Sequence, residues 1–151
     1  LQSRGRFCGT EQFFFPKITT WNLEMAVTVM VVDDSKLARI VAVKTIATLK
    51  PDWVKVEASN AQEALQLVAE QQIDVAVLDF NMPGRDGLDL AADLRKSHPT
   101  MPIAIITANI QDEVIARARA VNATFVNKPL TADGMSGFID GAALRLRQAQ
   151  G

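Results

Sequence analysis

The stretch Val75-Ala76-Val77-Leu78-Asp79-Phe80-Asn81-Met82-Pro83-Gly84-Arg85-Asp86-Gly87 decides the fold. A continuous apolar run ends abruptly in an acid, Asp79, and turn-forming residues follow at once. An apolar run of strand length without alternation suits a strand buried on both faces, as in a parallel sheet covered by helices. Burying an ionised carboxylate is costly unless it is paired or metal-bound. Asp79 therefore calls for a partner, and the carboxyl end of a strand in an open parallel sheet is where ligands bind.

The same pattern recurs on both sides. Val27 to Val32 is apolar and β-branched, and it ends in Asp33-Asp34-Ser35. Lys36 to Lys50 then reads as a helix, with Leu37, Ile40, Val41 and Ile46 among its apolar positions and Pro51 as its stop. Val54 to Ala58 is a short second strand, and Asn60 with Glu63 forms a capping-box signal for a helix burying Ala61, Ala64, Leu65 and Val68. The third strand spans Ile73 to Leu78, and a helix follows from Leu88 to Lys96. Ile103 to Ile106 is a fourth strand ending at Thr107, with a helix over Asp112 to Val121. Thr124 to Asn127 is a fifth strand leading into Lys128-Pro129. A last helix from about Ala132 to Gln148 turns Met135, Ile139, Ala142 and Leu146 inward. Five alternations of strand and helix predict a doubly wound α/β domain with a five-stranded parallel sheet.

Composition narrows the function classes. Of the 151 residues, 48% are hydrophobic and 22% charged, as in an ordinary globular domain. Sixteen basic against 17 acidic residues leave a net charge of -1, which gives no general electrostatic reason to bind nucleic acid or an anionic membrane. A single cysteine, Cys8, excludes an intrachain disulfide and a CxxC metal site. No segment has the apolar length of a membrane span. The only histidine, His98, precedes a proline in an expected loop and reads as structural or solvated. Arg117, Arg119, Arg145 and Arg147 read most simply as solvated helix charges, and Asp86-Gly87 as turn and helix-entry chemistry. Gly134, Gly137 and Gly141 fall on one side of the last helix, which reads as close packing, a frayed helix or a docking face.

In a parallel sheet the carboxyl ends of the strands share one edge. Asp33, Asp34, Asp79, Thr107 and Lys128 are thereby expected in a single crevice. Carboxylates a few ångströms apart disfavour full ionisation, and a hard divalent cation relieves this; oxygen ligands favour Mg²⁺. Lys128 adds a point charge for an anion. A carboxylate nucleophile, a metal and a lysine together suit phosphoryl transfer.

Four motifs carry a resemblance that extends over about Ala26 to Gln148: VVDDS at Val31–Ser35, LDFNMPGRDG at Leu78–Gly87, Thr107-Ala108, and Lys128-Pro129. The chain resembles the CheY-like receiver domain of bacterial two-component response regulators. The resemblance implies a flavodoxin-like sheet with strand order 2-1-3-4-5. It further implies that Asp79 is the phosphoacceptor, that Asp34 binds Mg²⁺ directly with Asp33 acting largely through water, and that Asn81 lends a backbone carbonyl. Lys128 would contact the phosphoryl oxygens, Thr107 would hydrogen-bond them after transfer, and Phe125 would be the aromatic switch. A cis peptide is implied at Lys128-Pro129. The implied partners are a sensor histidine kinase or phosphotransfer protein and an effector protein at the fourth helix, fifth strand and fifth helix, roughly Ile110 to Leu146. A cytoplasmic signalling module is implied rather than a turnover enzyme, with no direct nucleic-acid contact and no membrane insertion, and homodimerisation stays open. Asn81 stands where phosphohydrolases of another α/β family usually carry a second acid, which argues against turnover.

Residues 1–24 lack clean periodicity and contain Phe13-Phe14-Phe15-Pro16. They are expected to be a non-native leader before a receiver domain over 25–151, with a native docking arm as the alternative. A second alternative for the whole chain is a receiver excised from a larger response regulator or hybrid histidine kinase.

Overall fold

A computed structural model describes residues 26–150. The expected leader, its Phe13–Phe15 cluster and the Met25 start lie outside the described residues. The elements are β1 (Thr28–Val32), α1 (Lys36–Leu49), β2 (Val54–Ala58), α2 (Ala61–Glu70), β3 (Val75–Asp79), α3 (Gly87–Ser97), β4 (Ile103–Thr107), α4 (Asp112–Ala120), β5 (Thr124–Asn127) and α5 (Ala132–Gln150).

The five strands form one parallel sheet in the order β2-β1-β3-β4-β5, the expected 2-1-3-4-5. Its two faces carry separate cores. Met30, Leu78 and Ile105 pack with α2, α3 and α4, and Val31, Val77 and Ile106 pack with α1 and α5. β3 and β4 are buried at every position, which explains their unbroken apolar runs. Each fully buried leucine, such as Leu90 or Leu94, contributes roughly 1.5–3 kcal/mol through removal from water.

The third strand differs from expectation. It starts at Val75 rather than Ile73 and includes Asp79. The ladder even continues beyond it, because the Phe80 amide donates to the Ile106 carbonyl at 2.9 Å. Asp79 is thus held by the sheet itself, on rigid backbone.

Side-chain caps start four of the helices, Thr131 Oγ1 accepting from the Gly134 amide at the start of α5. Ser35, Asn60 and Asp86 accept hydrogen bonds from the amides of Ala38, Glu63 and Asp89. The capping box at α2 is shifted by one residue: Glu63 Oε1 accepts from the Ser59 amide at 2.8 Å rather than from that of Asn60. The far end of the sheet is fastened by Arg95. Its guanidinium donates to the carbonyls of His98, Pro99, Met101, Val121 and Asn122 at 2.8–3.3 Å, joining the α3–β4 and α4–β5 loops. No helix among the described residues is long and apolar enough to cross a membrane.

The first helix carries more apolar surface than its neighbours cover. Ala42 and Ile46 are buried against the sheet and α5. Leu37 is 72% exposed, and Ile40 and Val41 are 38% and 40% exposed. On α5, Met135, Ile139 and Ala142 are buried as expected, and Phe138 joins them. Gly137 and Gly141 face open space, so close packing does not account for them.

Candidate functional site

All strands run in the same direction, so the residues that end β1, β3, β4 and β5 meet at one edge. Asp33 follows β1, Asp79 closes β3, Thr107 closes β4, and Lys128 follows β5. Asp33, Asp79 and Thr107 are the buried polar or charged residues among the described ones, at 7%, 3% and 1% exposure. That all three gather at this edge marks it as a site, because burying polar groups elsewhere is avoided.

The acids converge. Asp33, Asp34 and Asp79 each offer an oxygen, and these oxygens lie within 4.8 Å of one another. Lys128 Nζ stands 2.8 Å from Asp79 Oδ1 as an ion pair. The pair is not aligned as a hydrogen bond, and the buried Oδ1 has no other donor. Burial pushes the Asp33 carboxyl above its ordinary pKa; the Ser35 amide opposes this, and the negative charge of Asp79 adds to it. Burial also disfavours the Lys128 ammonium, but its contact with Asp79 and the charges of Asp33 and Asp34 prevail and raise its pKa. One ammonium faces three carboxylates. An underbonded buried oxygen within an all-oxygen acid cluster is what a hard divalent cation satisfies, so this donor set fits such an ion.

The surrounding loops are built to hold these groups in place. Asp33 Oδ1 accepts from the Ser35 amide at 2.9 Å. After Asp79 the chain turns through Gly84, whose φ of 83° suits glycine. The Gly87 amide then donates to the Phe80 carbonyl at 3.0 Å. A Cβ at Gly87 would collide with the Asp79 carbonyl oxygen, so only glycine lets α3 start this close to the end of β3. Asn81 is exposed in this loop, two residues beyond Asp79. Thr107 Oγ1 donates to the Asn109 carbonyl at 3.2 Å and accepts from the Asn109 amide at 3.3 Å, so it is turned to its own loop. Phe125 is half-buried, next to Ile105 in the sheet register. The Lys128–Pro129 peptide is cis, as the resemblance implied. His98 is half-buried, its Nδ1 2.7 Å from Ser97 Oγ, and takes no part in the site.

Two arginines were not legible as site residues. Arg117 is not a solvated helix charge. It forms a two-pronged pair with Asp86, both contacts at 3.0 Å, and also reaches Asp89 at 3.2 Å. It thereby ties α4 to the N-cap of α3 at the end of the loop that follows Asp79. Arg39 donates to the Asp33 carbonyl at 2.7 Å and to Glu57 at 3.1 Å. Its place one turn into the helix that follows the acids was the available signal.

The family model described as the response regulator receiver domain matches residues 29–139. The chain belongs to the response regulator receiver family. Among its curated relatives, the receiver is 31% identical over 122 residues to the response regulator protein PilR of Pseudomonas aeruginosa, covering 80% of this chain and 27% of PilR. It is 35% identical over 112 residues to the positive alginate biosynthesis regulatory protein of the same species, covering 72% of this chain and 44% of that protein. The chain thus spans less than half the length of these relatives. The fold matches that of the Vibrio cholerae chemotaxis protein CheY4, with a TM-score of 0.71 at 24% identity over 78% of this chain and 98% of that one. The receiver is therefore a CheY-like signalling domain of two-component systems, with an acidic cluster able to hold a metal ion.

Proposed function

We propose that this receiver accepts a phosphoryl group on Asp79 from a histidine kinase or phosphotransfer protein and reports its arrival through Thr107 and Phe125. The observation that carries the reading is the buried Asp79 carboxylate, 2.8 Å from the Lys128 ammonium and within 4.8 Å of Asp33 and Asp34 oxygens. An Asp79 oxygen attacks the donor's phosphorus, the phosphorus–imidazole nitrogen bond breaks, and the imidazole leaves as the neutral base after taking up a proton. The product is a mixed anhydride on Asp79. A Mg²⁺ ion held by Asp34, Asp79 and the Asn81 carbonyl, with Asp33 through water, would neutralise charge on the transferring group. Lys128 keeps its proton, as its raised pKa requires, and receives a phosphoryl oxygen in place of its present contact with Asp79 alone.

The output follows from the same charge. A phosphoryl group adds negative charge and strong acceptors. The Thr107 hydroxyl gives up its bond to Asn109 and turns to these acceptors, which opens space beside Phe125. An effector protein that prefers the inward ring then binds the α4–β5–α5 face and shifts the population further. The donor docks elsewhere, on the apolar strip of Leu37, Ile40 and Val41. That strip borders a groove of about 300 Å³ lined by Ile106, Pro129 and Leu130, with Asp33 and Lys128 among its walls.

Acetyl phosphate supplies the phosphoryl group without a protein donor. Incubation with it should label the receiver in the presence of Mg²⁺ and fail to do so in excess chelator; labelling that ignores the chelator would contradict the metal role. A second reading makes this domain the input of a longer regulator. It is favoured by the relatives' greater length, since the matched stretch is 27% of PilR. Reading the complete open frame decides between the two.

A further inference from the structure

Arg39 does not touch the acceptor, yet it holds the backbone from which two of the acids project. Its Nη1 donates to the Asp33 carbonyl at 2.7 Å. That carbonyl belongs to the peptide unit joining Asp33 to Asp34, and a peptide unit is planar. Fixing the carbonyl therefore fixes the plane from which the Asp34 side chain departs. The other sides of Asp33 are held as well. Its amide donates to the Ala58 carbonyl at 3.2 Å, and its Oδ1 accepts from Ser35 at 2.9 Å. No strand hydrogen bond is left to orient the Asp33–Asp34 peptide, because β1 has ended at Val32.

Arg39 is itself braced. Its Nε meets Glu57 Oε1 at 3.1 Å, and Glu57 is the penultimate residue of the neighbouring strand β2. The Arg39 side chain is 15% exposed, and Glu57 balances its charge. Arg39 therefore contributes geometry rather than a free positive charge. This also distinguishes it from Lys128, which stands directly on Asp79.

We propose that Arg39, braced by Glu57, is a positioning residue for the metal-binding acids: it holds the Asp33–Asp34 peptide in the orientation in which Asp33, Asp34 and Asp79 converge. The proposal rests on reading the acid cluster as a divalent-cation site. Loss of a group that orients metal ligands from behind typically weakens metal affinity about 10–100-fold.

The test is Mn²⁺ binding to the full chain, followed by electron paramagnetic resonance, with a thermal melt of each variant alongside. Arg39→Ala should weaken Mn²⁺ binding about tenfold. Arg39→Lys should fall between it and the parent, because an ammonium lacks the fork that serves the carbonyl and the carboxylate together. Glu57→Gln should weaken binding in the same direction but less, and Asp34→Asn should abolish it. Labelling of Arg39→Ala by acetyl phosphate should need more Mg²⁺ yet reach the parent's plateau, a split that a general loss of structure would not give. If Arg39→Ala melts before the measurement, Arg39→Lys and Glu57→Gln decide. Parent-like Mn²⁺ binding in the folded Arg39 and Glu57 variants, with loss in Asp34→Asn, would overturn the proposal and leave the metal site standing. A parent chain that binds no Mn²⁺ would overturn the site reading and this proposal with it.

Discussion

Three carboxylates share the site with one ammonium, and that imbalance is the central residue-scale fact. Burial raises the Asp33 pKa, so the folded state prefers the protonated acid. Holding Asp33 ionised in the fold therefore costs stability. Asn in its place keeps an oxygen for the Ser35 amide and removes the charge. In chelator at neutral pH, Asp33→Asn should raise the unfolding free energy by about 1 kcal/mol, the scale typical of relieving strain at a functional site. Urea unfolding checks this, and an unchanged or lower midpoint would show that the buried Asp33 charge carries no such cost. Divalent cation should narrow the difference, because it compensates the buried charge in the parent. Gly87 works through shape instead, since its missing Cβ is what lets α3 begin against the Asp79 carbonyl.

Between elements, the pair of Arg117 and Asp86 joins α4 to the start of α3, at the end of the loop after Asp79. Burial works against the Asp86 carboxylate, but the hydrogen bond and charge of Arg117 outweigh it and hold the pKa below the usual value. A depressed folded pKa means stability that is present above the unfolded carboxylate pKa of about 3.9 and lost as pH falls through the folded value. Asp86→Asn keeps an N-cap and removes the pair. It should cost about 1 kcal/mol at neutral pH, since both side chains are partly solvated and screened. That difference should shrink toward zero as the pH drops below 4, and urea melts across pH measure it directly. The proposed donor surface lies on a different element, α1. Replacing Leu37 and Val41 on α1 with serine should change stability by no more than about 0.5 kcal/mol, as both are exposed. Phosphotransfer from a cognate kinase should nonetheless fall about tenfold or more, the loss expected for apolar anchors, while labelling by acetyl phosphate stays at the parent level. Equal losses with both donors would move the effect from docking to chemistry.

At the scale of the whole molecule, the order of elements was legible because β1, β3 and β4 are apolar runs with turn residues beyond them, and the two edge strands are short β-branched stretches between helix signals. The site was legible for a related reason: parallel strands deliver their carboxyl ends to one edge, so Asp33, Asp79, Thr107 and Lys128 could be grouped before any contact was known. The Asp79 boundary was harder to read, because an acid looks like a loop residue until the Phe80 amide is seen bonded to Ile106. Arg95 and Arg117 were not legible, and Arg39 only through its place one turn after the acids. Each of these long side chains also reaches a partner 18 to 31 residues away, and local pattern carries no information about such partners. The exposure of Leu37, Ile40 and Val41 escaped for the opposite reason: periodicity identifies an apolar face but not whether a neighbour covers it. The claim that unites these scales is that the fold exists to present one buried carboxylate to a phosphoryl donor. Intact-mass measurement after incubation with acetyl phosphate and Mg²⁺ tests it most directly. The parent chain should gain the mass of one phosphoryl group and Asp79→Asn none, whereas equal labelling of the Asp79→Asn variant would contradict the account.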